Sequence, residues 1–184
     1  MTIDVFTFGE TMLRLAAPTH VPVEVSDYFD VTPGGSESNV AANLAHLGWR
    51  SVWFSRLPDS PLGRLAANAI RAHGVNTDLV LFVPNERMGL YFVEFGAAPR
   101  GIRVWYDRAD SAASHLKPDD LPYDLIAASR WLHLTGITPA LSASCADAVR
   151  AALEFARARS IPVSFDVNYR ALLWSPEQAA AVLE

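Results

Sequence analysis

Gly34-Gly35-Ser36-Glu37-Ser38-Asn39-Val40-Ala41 is the stretch that decides how this chain is read. Two glycines break the preceding segment, a serine stands where it can cap, and apolar residues recur at Val40, Leu44 and Leu47 in helical rhythm. A helix N-terminus offers unpaired N–H groups and the positive end of its dipole, and glycine lets a ligand approach the backbone. Ser36, Glu37 and Asn39 fall in or near that first turn, where their side chains can face a polar ligand. The same residues equally suit a plain Gly-Gly turn into a capped helix that meets no ligand.

Working outward, Ile3 to Phe8 is a short apolar run ending at Gly9-Glu10, the pattern of a buried strand. An acidic residue just past a strand's C-terminal end faces a ligand in many α/β folds, but a solvated turn would place Glu10 there too. A dinucleotide-binding loop needs two further glycines at this point, and Thr11-Met12-Leu13-Arg14 follow instead. Residues 12–33 carry Pro18, Pro22 and Pro33 among short β-prone pieces such as Val21–Val25, which fits edge strands or a flap. Gly48 is a C-terminal stop for the helix, and Ser51–Ser55 is the next strand. Ser60-Pro61 opens a second helix with Leu62, Ala66, Ala69 and Ile70 on its apolar face, closed by Gly74. With a strand at Leu79–Val83, this alternation predicts a largely parallel sheet flanked by helices.

The rhythm changes at Met88. Met88–Phe95 and Ile102–Tyr106 are extended runs joined by a Gly- and Pro-containing loop, hence a hairpin. Tyr91, Phe92, Phe95, Arg103, Trp105, Tyr106 and Arg108 dress both its faces. That suits a lid sheet shared with residues 12–32, or an ordinary amphipathic hairpin packed on the core. Strands then follow at Trp131–Leu134 and Ile161–Val167, with a helix between them opened by Ser142 or Ser144 and carrying Val149 and Leu153. Asp166, Asn168 and Arg170 alternate along a segment expected to be extended, which would point all three to one side. Ser175-Pro176-Glu177-Gln178 is a capping box. The final helix stops at Glu184 just past the apolar Val182-Leu183, the expectation being a truncated chain.

Of the 184 residues, 51% are hydrophobic and 19% charged, with a net charge of −5, which suits one soluble globular domain. An acidic balance argues against general nucleic-acid or anionic-membrane binding. Fourteen of the fifteen basic residues are arginine, planar forks suited to carboxylates and phosphates. Cys145 stands alone, so no internal disulfide forms, and the absence of a signal pattern makes a cytoplasmic location the expectation. His20, His46, His73, His115 and His133 show no paired ligand spacing, so no structural zinc site is expected and no metal ligand is assigned.

The order and spacing of several segments resemble the ribokinase-like (PfkB-type) carbohydrate kinases, and among them the 2-keto-3-deoxygluconate kinases. These segments are Gly34–Ala41, Gly89-Leu90-Tyr91, Trp105-Tyr106-Asp107-Arg108, Leu132–Leu141 and Asp166-Val167-Asn168-Tyr169-Arg170. The resemblance implies a three-layer α/β/α sandwich with a mostly parallel sheet and a small β lid. Residues 1–184 would be the N-terminal part of one such domain, with lid segments at about 12–33 and 88–108 that often pair lid to lid in a homodimer. It implies that Gly34, Tyr91, Tyr106, Arg108 and Arg170 line a sugar-acid pocket floored by Gly34-Gly35, with Asn39 and the tyrosines meeting hydroxyls and Glu10 at the strand end. Asn168 and Arg170 would lie near the phosphates of ATP, whose Mg2+ belongs to the whole enzyme. In this sequence the family's Gly-Asp/Glu-Asp-x-x-Gly turn has Pro58 and Ser60 in place of its glycine and second acid, with Gly63 kept. Gly-Ala-Gly-Asp, which supplies the family's anion hole and catalytic base, does not occur, nor does the downstream Asn-x-x-Glu element. The expected activity is ATP-dependent phosphorylation of 2-keto-3-deoxygluconate by the intact protein, with no catalytic base in these residues and no turnover by them alone. A kinase for another sugar such as fructose, or a non-catalytic sugar-acid binder, are the alternatives.

Overall fold

Alternating apolar runs and capped amphipathic segments fold into three sheets and six α-helices in the computed structural model, which describes residues 3–183. The strands are β1 (Ile3–Phe8), β2 (Met12–Ala16), β3 (Asp30–Gly34), β4 (Ser51–Phe54), β5 (Arg56–Pro58), β6 (Leu81–Val83), β7 (Leu90–Glu94), β8 (Arg103–Asp107), β9 (Ser129–Thr135) and β10 (Val163–Asp166). The helices are α1 (Ser36–His46), α2 (Pro61–Ala72), α3 (Tyr123–Ala127), α4 (Ile137–Leu141), α5 (Ala143–Ala158) and α6 (Pro176–Leu183).

The main sheet runs β10-β9-β1-β4 with every pair parallel, Phe6 lying beside both Val52 and Leu132. β1 and β4 are buried along their whole length, as strands covered on both faces must be. On one face Phe6, Phe8, Leu132 and Leu134 pack against Cys145, Ala148, Ala152 and Ala156, a row of small residues that lets α5 lie close. On the other, Trp53 packs with Leu57, Ala66, Ile70 and Met88. Removing one of these large apolar groups would cost about 2–5 kcal/mol.

The second sheet runs β3-β2-β7-β8. β2 is antiparallel to β3 but parallel to β7, and β7–β8 is the expected hairpin. Residues 12–34 and 90–107 therefore share one sheet, connected to the main one through Gly9–Thr11 and Gly35.

Helix starts follow the sequence closely. Ser60 Oγ accepts from Gly63 N at 3.4 Å, and Ser142, rather than Ser144, caps α5 by accepting from Cys145 N at 3.1 Å. Ser175 and Gln178 exchange bonds of 2.8 and 3.2 Å, completing the capping box. Gly48 and Gly74 take left-handed φ of +86° and +88° past α1 and α2, conformations that glycine alone adopts without strain.

Five local expectations are corrected. The N-cap of α1 is Gly35 with no side-chain cap bond, and Ser36 is already helical. Val21–Val25 holds a single 3-10 turn at Val23–Val25, because Pro22 and the chain reversal leave no partner strand. The strand expected at Leu79–Val83 is only Leu81–Val83, and it pairs with β5 in a separate two-stranded sheet. Between β9 and β10, where a helix was expected to open only at Ser142 or Ser144, α4 comes first at Ile137–Leu141. Beyond β10 the chain is not extended, since Asn168 is left-handed at φ +41° and its N–H bonds back to Asp166 Oδ1 at 3.0 Å.

Candidate functional site

Glu10 follows β1 after Gly9, and the residue is 3% exposed. Ser111 Oγ donates to its Oε1 at 2.6 Å, and Arg108 Nη2 pairs with its Oε2. Both carboxylate oxygens are thus spent inside the protein. The sequence allows Glu10 equally to face a ligand or to be a solvated turn residue; here Glu10 anchors an arginine, whose buried Nε has no partner among the described residues. A buried carboxylate and a partly buried guanidinium in contact hold each other's orientation more firmly than an exposed pair would.

Arg108 lies 5.8 Å from the centre of the Tyr106 ring, and Tyr106 stacks on its cross-strand partner Tyr91 at 5.7 Å. The Tyr91 hydroxyl rests against Gly34, where any Cβ would collide with it. Burial pushes the Tyr91 hydroxyl up from its ordinary pKa, with the charge of Arg14 opposing. Gly34, Tyr91, Tyr106, Arg108 and Glu10 therefore form one connected row. An open cavity of about 670 Å³ lies along its end, walled by Trp105, Tyr106, Arg108, Leu141, Arg170 and Leu173. Arg170 is exposed, bonds only to the neighbouring Tyr169 carbonyl at 3.3 Å, and has no ion pair among the described residues.

Other expected site residues lie elsewhere. Gly35 is required by packing, since a Cβ there would strike the Glu10 carbonyl and the Thr11 and Ser38 hydroxyls. Asn39 is exposed on α1 and does not line the cavity. Asn168 Nδ2 donates to Ser36 Oγ at 2.8 Å, fastening the β10 exit to the start of α1. Asp166, Asn168 and Arg170 do not converge as an alternating strand would bring them, because the strand ends at Asp166.

Glu37 reverses its expectation most sharply. It faces inward, fully buried, and its Oε1 accepts from Thr135 Oγ1 at 2.8 Å and Thr138 Oγ1 at 2.7 Å. Its Oε2 has no partner among the described residues, and the carboxyl sits where a Gly9 side chain would be. Burial pushes its pKa up to about 7, against the lowering effect of both threonines. Sequence reading also passed over Arg14, beside Tyr91 in the β2–β7 register, whose buried Nε has no partner among the described residues. Its signal was the single charge in the apolar run 12–16.

A family model described as pfkB family carbohydrate kinase matches residues 2–184. The chain belongs to the PfkB carbohydrate kinases. It is 40% identical over 184 residues to a 2-dehydro-3-deoxygalactonokinase of Haloferax volcanii, covering 100% of this chain and 58% of that protein. It is 34% identical over 182 residues to a 2-dehydro-3-deoxygluconokinase of Bacillus subtilis, covering 99% of this chain and 56% of the relative. The crystal structure of 2-dehydro-3-deoxygluconokinase from Thermotoga maritima superposes with a TM-score of 0.93 at 43% identity, covering 98% of this chain and 56% of that one. The chain thus spans little more than half the length of these relatives, and its fold is the ribokinase-like α/β fold of this family.

A Gly34→Ala change tests the contact of Gly34 with Tyr91. The added methyl should displace the Tyr91 ring from Tyr106 and lower stability by about 1–3 kcal/mol, as overpacking does. Chemical denaturation reads that loss, and near-ultraviolet circular dichroism reads the broken tyrosine stack.

Proposed function

We propose that this PfkB chain supplies the sugar-acid side of an ATP-dependent 2-keto-3-deoxygluconate kinase site. The observation that carries the reading is Arg108, oriented by buried Glu10 and opening with Tyr106 and Arg170 onto one cavity. A fixed guanidinium suits the carboxylate that separates a sugar acid from a neutral sugar. The names of the three relatives above, 2-dehydro-3-deoxygalactonokinase and 2-dehydro-3-deoxygluconokinase, support the same substrate class. A second reading, the galactonate epimer, is favoured by the Haloferax relative, and nothing around Arg108 discriminates a hydroxyl remote from the carboxylate.

ATP fits in part. The unpaired guanidinium of Arg170 suits a phosphate, and Asn168 holds the neighbouring backbone turn. No group of three or more His, Cys, Asp or Glu among the described residues could hold a metal ion by itself, and Mg2+ is proposed for the intact protein, with most of its site outside these residues. We assign no catalytic base to these residues, and the lid sheet is proposed both to exclude water and to carry a homodimer contact. Its exposed Val31, Val104 and Trp105 support the second role. No helix among the described residues is long and apolar enough to cross a membrane, and a cytoplasmic location remains part of the proposal.

The test separates binding from turnover. Calorimetry on the 184-residue chain should show 2-keto-3-deoxygluconate binding with fructose binding much more weakly. A coupled assay with ATP and Mg2+ should show no sugar-dependent ADP release. Kinase-like turnover by this chain would overturn the assignment of the base outside it, and preference for fructose would overturn the sugar-acid reading.

A further inference from the structure

We propose that His46 and His73 form a surface site for a divalent transition-metal ion of the Cu2+, Ni2+ or Zn2+ class, clipping the ends of α1 and α2 together. Neither residue touches the sugar-acid cavity, so the proposal stands apart from the kinase reading. The two histidines are 27 residues apart, and no ligand spacing announces them. Folding brings His46, in the last turn of α1, beside His73, the C-cap of α2. His46 Nε2 and His73 Nδ1 are 2.9 Å apart on exposed rings, with centroids 5.1 Å apart and planes inclined at 45°.

Without metal, such a pair is held by one ring N–H donating to the lone pair of the other ring. A metal ion replaces that shared proton. Neutral imidazole is the commonest protein ligand for these ions. Two bonds of about 2.0–2.1 Å meeting at a right angle set their nitrogens about 2.9 Å apart. That is the separation already present. The terminal torsion of histidine is broad, and both rings are exposed, so each can turn its lone pair on a common ion without repacking the core. A second feature favours a cation independently: both rings stand at helix C-terminal ends, where the last carbonyls concentrate partial negative charge. Arg71, the basic residue of the last α2 turn, is ion-paired with Asp78 at 3.2 Å. With no third His, Cys, Asp or Glu grouped there among the described residues, water completes the shell. This is an open two-imidazole site rather than a closed structural zinc centre.

Cu2+ is the probe. Calorimetry at neutral pH should give one saturable ion per chain, and the electron paramagnetic resonance spectrum should show coupling to two imidazole nitrogens. His46→Ala and His73→Ala should each weaken binding tenfold or more and abolish the metal-dependent rise in melting temperature, since an ion bound only by the folded chain stabilises it. His115→Ala is the control, because exposed His115 beside Asp110 at 2.8 Å is a rival ligand and should leave binding unchanged. Undiminished binding in both test variants, loss in the His115 variant alone, or no saturable binding would each overturn the proposal.

Discussion

Replacing Glu37 with glutamine is expected to make the fold more stable relative to the parent as pH rises, with a difference that grows by roughly 3 kcal/mol between pH 4.5 and 7. The carboxyl is fully buried, and its pKa is raised from 4.5 to about 7. In the unfolded chain it ionises at its ordinary value; in the folded chain it keeps its proton until about neutrality. Stability from the neutral form is therefore complete below pH 4.5 and falls through the window by about 1.4 kcal/mol per pH unit. It levels off above pH 7, where both states are ionised. Glutamine keeps a carbonyl oxygen for the Thr135 and Thr138 hydroxyls and has nothing to ionise. Its amide nitrogen replaces the unpartnered Oε2 at a cost that does not vary with pH, so the pH dependence of the difference is the decisive quantity. Denaturation of both proteins across this range measures it, other titrating groups cancelling in the comparison. Parallel stability curves would show that Glu37 is ionised in the folded state.

The same residue shows where sequence reading reached its limit. An acidic residue in the first turn of a helix ordinarily complements the dipole from solvent. The partners that bury Glu37, Thr135 and Thr138, are 98 and 101 residues away, and nothing local signals them. Local chemistry did announce the alternation of β1, α1, β4 and α2, the Ser60 and Ser175 caps and the 88–106 hairpin, because each rests on neighbours in sequence. Asn168 failed for the opposite reason. Alternation presumes an extended backbone, and the bond from Asn168 N to Asp166 Oδ1 replaces it with a turn. The arginines were legible as residue types suited to anions. That Glu10 is held by Arg108 and Ser111, 98 and 101 residues away, emerges only from the fold.

Loss of Arg108 should separate sugar acids from neutral sugars. An Arg108→Met variant is expected to bind 2-keto-3-deoxygluconate about 10- to 150-fold more weakly, the span of one charge-assisted interaction worth about 1.5–3 kcal/mol. Fructose binding should change much less, since it offers no carboxylate. Removing the guanidinium also strands Glu10, buried and without its counter-charge, and breaking such a pair costs about 3–5 kcal/mol of stability. The double variant Glu10→Gln with Arg108→Met removes that stranded charge. It should recover much of the stability while remaining as weak toward the sugar acid. Glu10→Gln alone keeps the guanidinium but loosens its aim, so sugar-acid affinity should fall by less than in the methionine variant. Calorimetry with both sugars, paired with denaturation of all three variants, distinguishes recognition from collapse. Equal loss for both sugars in the stability-recovered double variant would remove Arg108 from carboxylate recognition and leave the Glu10 contact as a brace between β1 and the lid sheet.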